Sequence, residues 1–180
     1  YHLSDYEHGA DKYNDLLKNS EGTITINGKI MAKENVELYG KDVKVIGDNS
    51  VNRGIVAGVK NQNKITTQQQ AKQVFDSLVQ NNIKDAENFS LEGGKIKIVA
   101  NKRDGFDSDN DKKLEVRVDI SQAKIGANEI DISATADVDR QQRVDLAKAT
   151  VDIGFSEITG DTVSIEAKST QKKDFDAANP

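Results

Sequence analysis

Three observations predict a mainly all-β fold, a parallel β-solenoid interrupted by one inserted α-helix. Ile and Val together outnumber Leu by about four to one, and β-branched residues favour strands. Short alternating apolar runs follow one another closely, and each is too short for a stable hairpin. A unit of about 33 residues then repeats in the second half. These features suit stacked coils in which each strand pairs with its counterpart one coil away.

The first two regions differ in their apolar period. Residues 1–21 form a polar N-terminal segment, in which the spacing of Tyr13, Leu16 and Leu17 predicts a short helix. Residues 22–65 change to a period of two, which predicts short strands separated by turns such as Asn27-Gly28. We therefore expect this second region to form the first β-helix coils.

An amphipathic helix interrupts the coils over residues 66–84. Thr67 and Gln70 have the spacing of a capping box, in which side chains satisfy the free N–H groups at a helix start. Val74, Phe75, Leu78 and Val79 then fall on one helical face. This pattern predicts an insertion packed over the side or the end of the coils.

Residues 85–180 carry the repeat. Each unit contains Val-Asp-Ile, a single Ile and an apolar strand that ends in Ala, as at 118–120, 125 and 130–134. A charged excursion follows each Ala, and its alternating flanks predict a protruding β-hairpin. The third unit stops before its own Val-Asp-Ile, which predicts a longer parent protein truncated in mid-repeat.

Composition excludes several classes of protein. The chain has no Cys, so thiolate metal sites and disulfides are excluded. A net charge of −5 argues against nucleic acid as a partner. No apolar run approaches the roughly 20 residues of a membrane helix, so we expect no transmembrane segment.

The coil-forming residues resemble the filamentous haemagglutinin and leukotoxin-like exoproteins of two-partner secretion. The resemblance rests on residues 24–32, on Val36-Glu37-Leu38 and on the repeated Val-Asp-Ile units, and it spans roughly 20–60 and 89–168. It implies a right-handed parallel β-helix within a secreted or bacterial cell-surface fibre, used for adhesion or host-cell toxicity. It also implies an outer-membrane secretion partner and a host-cell surface protein or glycan as ligand. The Asn-Pro-Asn motifs of the family's secretion domain are absent.

The first excursion contains the one candidate for a metal site. Four alternating acidic residues could offer several oxygens to a calcium ion, whereas a solvated loop tip is the competing interpretation. Two following lysines, Lys112 and Lys113, would repel a cation. No other cofactor is expected. The acidic candidates are Asp104, Asp107, Asp109 and Asp111.

The excursions also supply candidates for binding. Two aromatic residues stand at similar points of two excursions, and each is followed by Asp. Either could contact a host ligand or fold back over the coils. Small basic spots nearby could touch anionic glycans or lipid, or could be solvated loop charge. The candidates are Phe106, Phe175, Lys102, Arg103, Lys172 and Lys173.

A non-enzymatic adhesin is therefore the predicted function, with two alternatives. The first is a β-helical polysaccharide-active enzyme or carbohydrate-binding module, because acidic residues recur at strand positions and glycosidases use paired carboxylates. The second is a passive structural stalk. Both histidines, His2 and His8, lie in the polar N-terminal segment, away from the strands. The recurring acids are Asp119, Asp131, Asp152 and Glu166, which the alternation places on wet faces.

Overall fold

The protein is mostly β-structure with one α-helix, in a β-helix-like parallel arrangement. The computed structural model describes residues 22–80, 88–103, 113–138 and 146–171. Within these residues lie three four-stranded sheets and the helix α1, Gln68–Val79. The strands are β1 Thr23–Ile26, β2 Lys29–Ala32, β3 Asn35–Gly40, β4 Asp42–Ile46, β5 Gly54–Ala57, β6 Lys95–Arg103, β7 Lys113–Ser121, β8 Lys124–Gly126, β9 Glu129–Val138, β10 Leu146–Gly154, β11 Glu157–Thr159 and β12 Thr162–Gln171.

Each strand pairs in parallel with the strand that lies three strands before or after it in the chain. Sheet A has the order β1-β4-β7-β10, sheet B the order β2-β5-β8-β11 and sheet C the order β3-β6-β9-β12. We call each run of three successive strands, one in each sheet, a triplet: β1–β3, β4–β6, β7–β9 and β10–β12. The prediction that strands pair with repeat counterparts and not with sequence neighbours is confirmed.

The strand register reproduces the sequence repeat. Val118 faces Val151 in sheet A, and Ile125 faces Ile158 in sheet B. In sheet C, Ile132 lies between Ile98 and Ile165. Like side chains therefore stack in columns, which lets one short sequence pattern fill the same place in every triplet.

The main core lies between the three sheets. Alternate residues of β7 and β9 point inward and are buried, as the period of two requires. These side chains are almost all Ile, Val and Ala, with Leu114 the one leucine among the fully buried residues of this cluster. Fully burying one such aliphatic side chain contributes roughly 2 kcal/mol. The narrow interior thus accounts for the shortage of aromatic residues.

Helix α1 covers the outer face of sheet B. The hydroxyl of Thr67 accepts a hydrogen bond from the N–H of Gln70 at 3.1 Å, which confirms the predicted cap. The Gln70 side chain accepts from the N–H of Thr66 at 3.0 Å. The helix buries Val74, Phe75 and Leu78 against Val56, Val59 and neighbouring apolar residues.

A cation fixes the helix against the sheet. The Lys29 ammonium lies 5.4 Å from the centroid of the Phe75 ring and 3.0 Å from Oδ1 of Asp76. One strand residue therefore makes a cation–π contact and an ion pair with successive helix residues. The predicted amphipathic helix is therefore present over residues 68–79, and of the two predicted positions it takes the side of the sheets.

Strand β5 lies within the region predicted to form short strands, but it lacks the predicted alternation. All four of its residues are buried, because the core covers one face and α1 covers the other. Burial on both faces gives a continuous apolar run without alternation. The residues from Gly54 to Ala57 form such a continuous run. The short helix expected within residues 1–21 lies outside the described residues.

Candidate binding surfaces

The strands of sheets A and C extend beyond the repeat unit at one side of the molecule. In sheet C, β6 and β9 continue to Arg103 and Val138, and in sheet A, β7 starts at Lys113. The inward positions of these extensions, which we call the arms, are filled by Leu114, Val116, Ala136 and Val138, all buried. This apolar filling packs the arms of sheet A against the arms of sheet C.

The arms do not form the predicted hairpins. β6 and β7, which flank the first excursion, belong to different sheets, as do β9 and β10. The arms instead continue the parallel pairing, with Lys113 opposite Leu146 and Lys102 opposite Ala136. Alternation in the sequence correctly indicated strands, but the register set by the repeat determines the partner.

Lys102 does not form an exposed basic spot, contrary to the prediction. Its exposed fraction is 8%, because its register partner Ala136 points inward and Lys102 follows the same face of sheet C. A lysine at this depth is available for packing inside the arms and not for a ligand outside them. The other excursion candidates lie outside the described residues, except for the backbone of Arg103: Asp104, Phe106, Asp107, Asp109, Asp111, Lys172, Lys173 and Phe175.

The outer face of sheet A carries an ion-pair network. Nε of Arg117 donates to both carboxylate oxygens of Asp119, at 2.7 and 2.8 Å. The Nη2 atom of the same arginine donates to Oδ2 of Asp152 at 2.8 Å. One guanidinium thus holds two of the recurring acids and ties β7 to β10. Paired glycosidase carboxylates need one group to act as an acid and the other as a base or nucleophile, whereas these two share a single cation.

A cleft opens between the end of α1 and the edge of sheet B. Its volume is about 330 Å³, at the lower end of the roughly 300–1,000 Å³ typical of ligand pockets. Leu78 and Leu91 contribute apolar wall, while Lys124, Glu157 and Asp161 contribute charge. Lys124 Nζ lies 3.7 Å from Oε2 of Glu157. The cleft thus combines apolar and charged lining residues.

The strongest exposure of apolar groups lies in the last triplet, and sequence reasoning missed it. Phe155, at the corner between β10 and β11, is 90% exposed and has a φ of 51°. A non-glycine residue in this left-handed region is uncommon. Val163 and Ile165 of β12 are 41% and 50% exposed although the alternation places them toward the core. The sequence repeat does not indicate this exposure. It shows which side chains point inward, but not whether a neighbouring triplet covers them.

Among the described residues, no group of three or more His, Cys, Asp or Glu side chains is placed to hold a metal ion. The acidic candidates of the first excursion lie outside those residues. Across the same part of the chain, no helix is both long enough and apolar enough to cross a membrane. Comparison with known protein families, with curated proteins and with solved structures found no match for this chain.

Proposed function

We propose that this chain is part of a secreted or bacterial cell-surface protein of the filamentous adhesin or leukotoxin-like class. In this proposal a rigid, right-handed parallel β-helix displays surfaces that bind a host-cell protein or glycan. The observation that carries the proposal is the pairing of triplet on triplet in three parallel sheets, with arms that extend two of those sheets. The resemblance of the repeats to two-partner-secretion exoproteins supplies the function class and the outer-membrane secretion partner.

General chain geometry supports the right-handed winding. Parallel strands of one sheet joined by a crossover are connected in the right-handed sense in about 98% of cases. Here every sheet consists of parallel strands whose connections pass through the two other sheets. Three strands for each turn of the chain would then give a triangular solenoid with its apolar columns inside.

The packing of the arms supports a binding role for this side of the molecule. Leu114 and Val116 of sheet A are buried at the same level as Ala136 and Val138 of sheet C. Closely packed interiors of this kind hold their surroundings in one arrangement. A ligand that contacts the arms themselves would then bind with little loss of chain entropy, which favours affinity.

Cell binding tests this proposal. The purified chain is labelled and titrated onto cultured animal cells, beside the double variant Phe106→Ala with Phe175→Ala. We expect the wild-type chain to bind and the double variant to lose about tenfold in affinity, equal to about 1.4 kcal/mol, with an unchanged melting temperature. Phe155→Ala is the matched control, because it removes an exposed aromatic side chain from a corner of the described structure.

Absence of binding would contradict the proposal, and two other results would change only the assignment of the contact residues. Saturable binding that survives the double substitution places the contact elsewhere than the excursions. Absence of any binding by the folded wild-type chain favours the passive stalk. A lower melting temperature of the double variant with unchanged binding would assign these aromatic residues to packing.

The second candidate is a carbohydrate-binding module, which the cleft beside α1 favours. Its charged lining residues Lys124, Glu157 and Asp161 could hydrogen-bond sugar hydroxyls, while Leu78 and Leu91 could contact the apolar faces of a sugar ring. Calorimetric titration with neutral and acidic oligosaccharides tests it. Binding that Asp161→Asn weakens would support this candidate, and absence of heat at millimolar sugar would exclude it. Turnover of a polysaccharide in the same panel would identify an enzyme.

A further inference from the structure

The turn between β1 and β2 contains the one Asn-Gly pair of the sequence, Asn27-Gly28. Asn27 is exposed and directly follows the last residue of β1. A Cβ added at Gly28 would meet no atom within 4 Å, so this part of the backbone is not closely packed. Because glycine has no side chain, nothing on Gly28 itself shields its backbone nitrogen from the neighbouring side-chain amide.

A cationic side chain already contacts the amide of Asn27. Nη1 of Arg53, which directly precedes β5, donates a hydrogen bond to Oδ1 of Asn27 at 3.0 Å. Such a donor draws electron density away from Cγ of the amide. It also stabilises the negative charge that develops on the oxygen when a nucleophile adds to that carbon. The adjacent backbone nucleophile is the nitrogen of Gly28.

From this contact we propose that Asn27 is a site of spontaneous deamidation that Arg53 accelerates. The nitrogen of Gly28 loses its proton to solvent and forms a bond to Cγ of Asn27. The Cγ–Nδ2 bond breaks, and the nitrogen takes up a proton and leaves as ammonia. Water then opens the resulting succinimide at either carbonyl, giving an aspartyl or an isoaspartyl link. One water is consumed and one ammonia released, with no oxidation or reduction.

A second exposed asparagine provides a contrast within the same molecule. Asn49 is followed by Ser50, another small residue, but the backbone N–H of Ser50 donates to Oδ1 of Asp48 at 2.8 Å. Attack by this nitrogen would first break that hydrogen bond and remove a proton that stabilises the carboxylate. We therefore expect Asn49 to keep its amide while Asn27 reacts.

The two products should affect the fold differently. An aspartate at position 27 would form an ion pair with Arg53 and leave the backbone unchanged. An isoaspartyl link would add a backbone atom just before Lys29, which pairs with Gly54 of β5 and whose ammonium bonds Asp76 of α1. The isoaspartyl form should therefore loosen β2 from both neighbours. Neither consequence involves the excursions or the cleft, so the proposal is independent of host-cell binding.

Peptide mapping of the aged, folded chain tests the site. The protein is kept in mildly alkaline buffer, sampled over time and digested with trypsin, and the peptide that ends at Lys29 is analysed by mass spectrometry. We expect this peptide to gain aspartyl and isoaspartyl forms, while the peptide containing Asn49 keeps its amide. Gly28→Ala should slow the reaction about tenfold, because a methyl group hinders the attacking nitrogen. The open surroundings of Gly28 let this variant fold.

Variants at Arg53 test the acceleration. Arg53→Met should slow deamidation of the folded chain about tenfold, because the donor to the amide oxygen is lost. Arg53→Lys, which keeps a cationic donor, should recover part of the rate. In concentrated urea the wild-type chain and Arg53→Met should react equally fast, since the contact is absent there. An Asn27 amide that survives in the folded chain but reacts in urea would overturn the proposal. Equal rates of the folded wild-type chain and Arg53→Met would overturn the role of Arg53.

Discussion

Strands β9 and β12 have the same place in the repeat but opposite burial. β9 alternates between buried and partly exposed residues along its length, whereas every residue of β12 is exposed. The two strands are paired in register, with Ile132 facing Ile165 and Ala134 facing Ala167. Their apolar patterns match, so the difference does not arise from their own sequences.

The difference arises from the number of neighbouring strands that cover each strand. β9 lies between β6 and β12, while β12 has β9 on one side only. In a stack of triplets, the sequence of a strand determines which side chains point inward, and the next triplet determines how much water they lose. Because burial by area is what stabilises an apolar side chain, equal residues in the two strands should contribute unequally to stability.

The largest expected difference is between the stability losses caused by truncating the two facing isoleucines, Ile132 and Ile165. Ile132→Ala removes a side chain that is 0% exposed and should lower the free energy of unfolding by about 3 kcal/mol. Ile165→Ala removes one that is 50% exposed and should cost less than about 1 kcal/mol. Urea denaturation at low protein concentration measures both. Equal losses would show that the last triplet is already covered under those conditions.

A second comparison concerns glycines at the corners between sheets A and B. A Cβ at Gly47 would overlap the carbonyl oxygen of Gln122 in the next triplet. A Cβ at Gly154, in the last triplet, meets no atom within 4 Å. Gly47→Ala should therefore destabilise the fold by about 2 kcal/mol, whereas Gly154→Ala should change stability by less than about 0.5 kcal/mol. Thermal unfolding of the pair measures this, and similar melting temperatures would contradict close stacking at the interior corner.

The parallel sheets could be predicted because the repeat acts at the level of single residues. Val118 and Val151, or Ile125 and Ile158, recur at the spacing at which they pair. The helix was predictable for a local reason, since Thr67 caps it and its apolar face follows the helical period. The burial of β5 on both faces was not predictable, because the two surfaces that cover it are not local in the sequence.

The candidate surfaces were less predictable, because they depend on the strand register and on which neighbouring strands bury each residue. Lys102 looked like an exposed basic residue, and only its alignment with the inward face of Ala136 shows that it is buried. The Arg117 network joins residues of strands that are distant in sequence. The exposure of Phe155 follows from its corner position at the end of the stack.

The ion pairs of Arg117, which join β7 to β10 of the last triplet, should contribute less to stability than the buried isoleucines. Arg117→Met removes the hydrogen bonds to Asp119 and Asp152 and should lower stability by about 1 kcal/mol, since the guanidinium is half exposed. The loss should shrink in about 1 M salt, which screens exposed pairs. Lys95→Met is the matched control, because its single partner Glu129 is 3.7 Å away, and it should cost less. Hydrogen exchange in β10 would show whether this network holds the last triplet, and unchanged protection would contradict that role.

The smallest expected effect lies in the loop after β4, in an interior triplet. The N–H and hydroxyl of Ser50 both donate to Oδ1 of Asp48 at 2.8 Å, and with Arg53 nearby they lower the pKa of that carboxyl. Because the folded pKa is lowered, the stabilisation is present above the ordinary carboxyl range and is lost as the pH falls through the lowered value. Asp48→Asn should flatten this acid limb of a stability–pH curve slightly. Ser50→Ala keeps the backbone N–H, whose hydrogen bond lowers the pKa of Asp48 most, so it should flatten the acid limb less. An equal or larger change would assign the lowered pKa to the hydroxyl. The corresponding corner of the last triplet holds Phe155, so this acid-sensitive loop distinguishes the interior of the stack from its end.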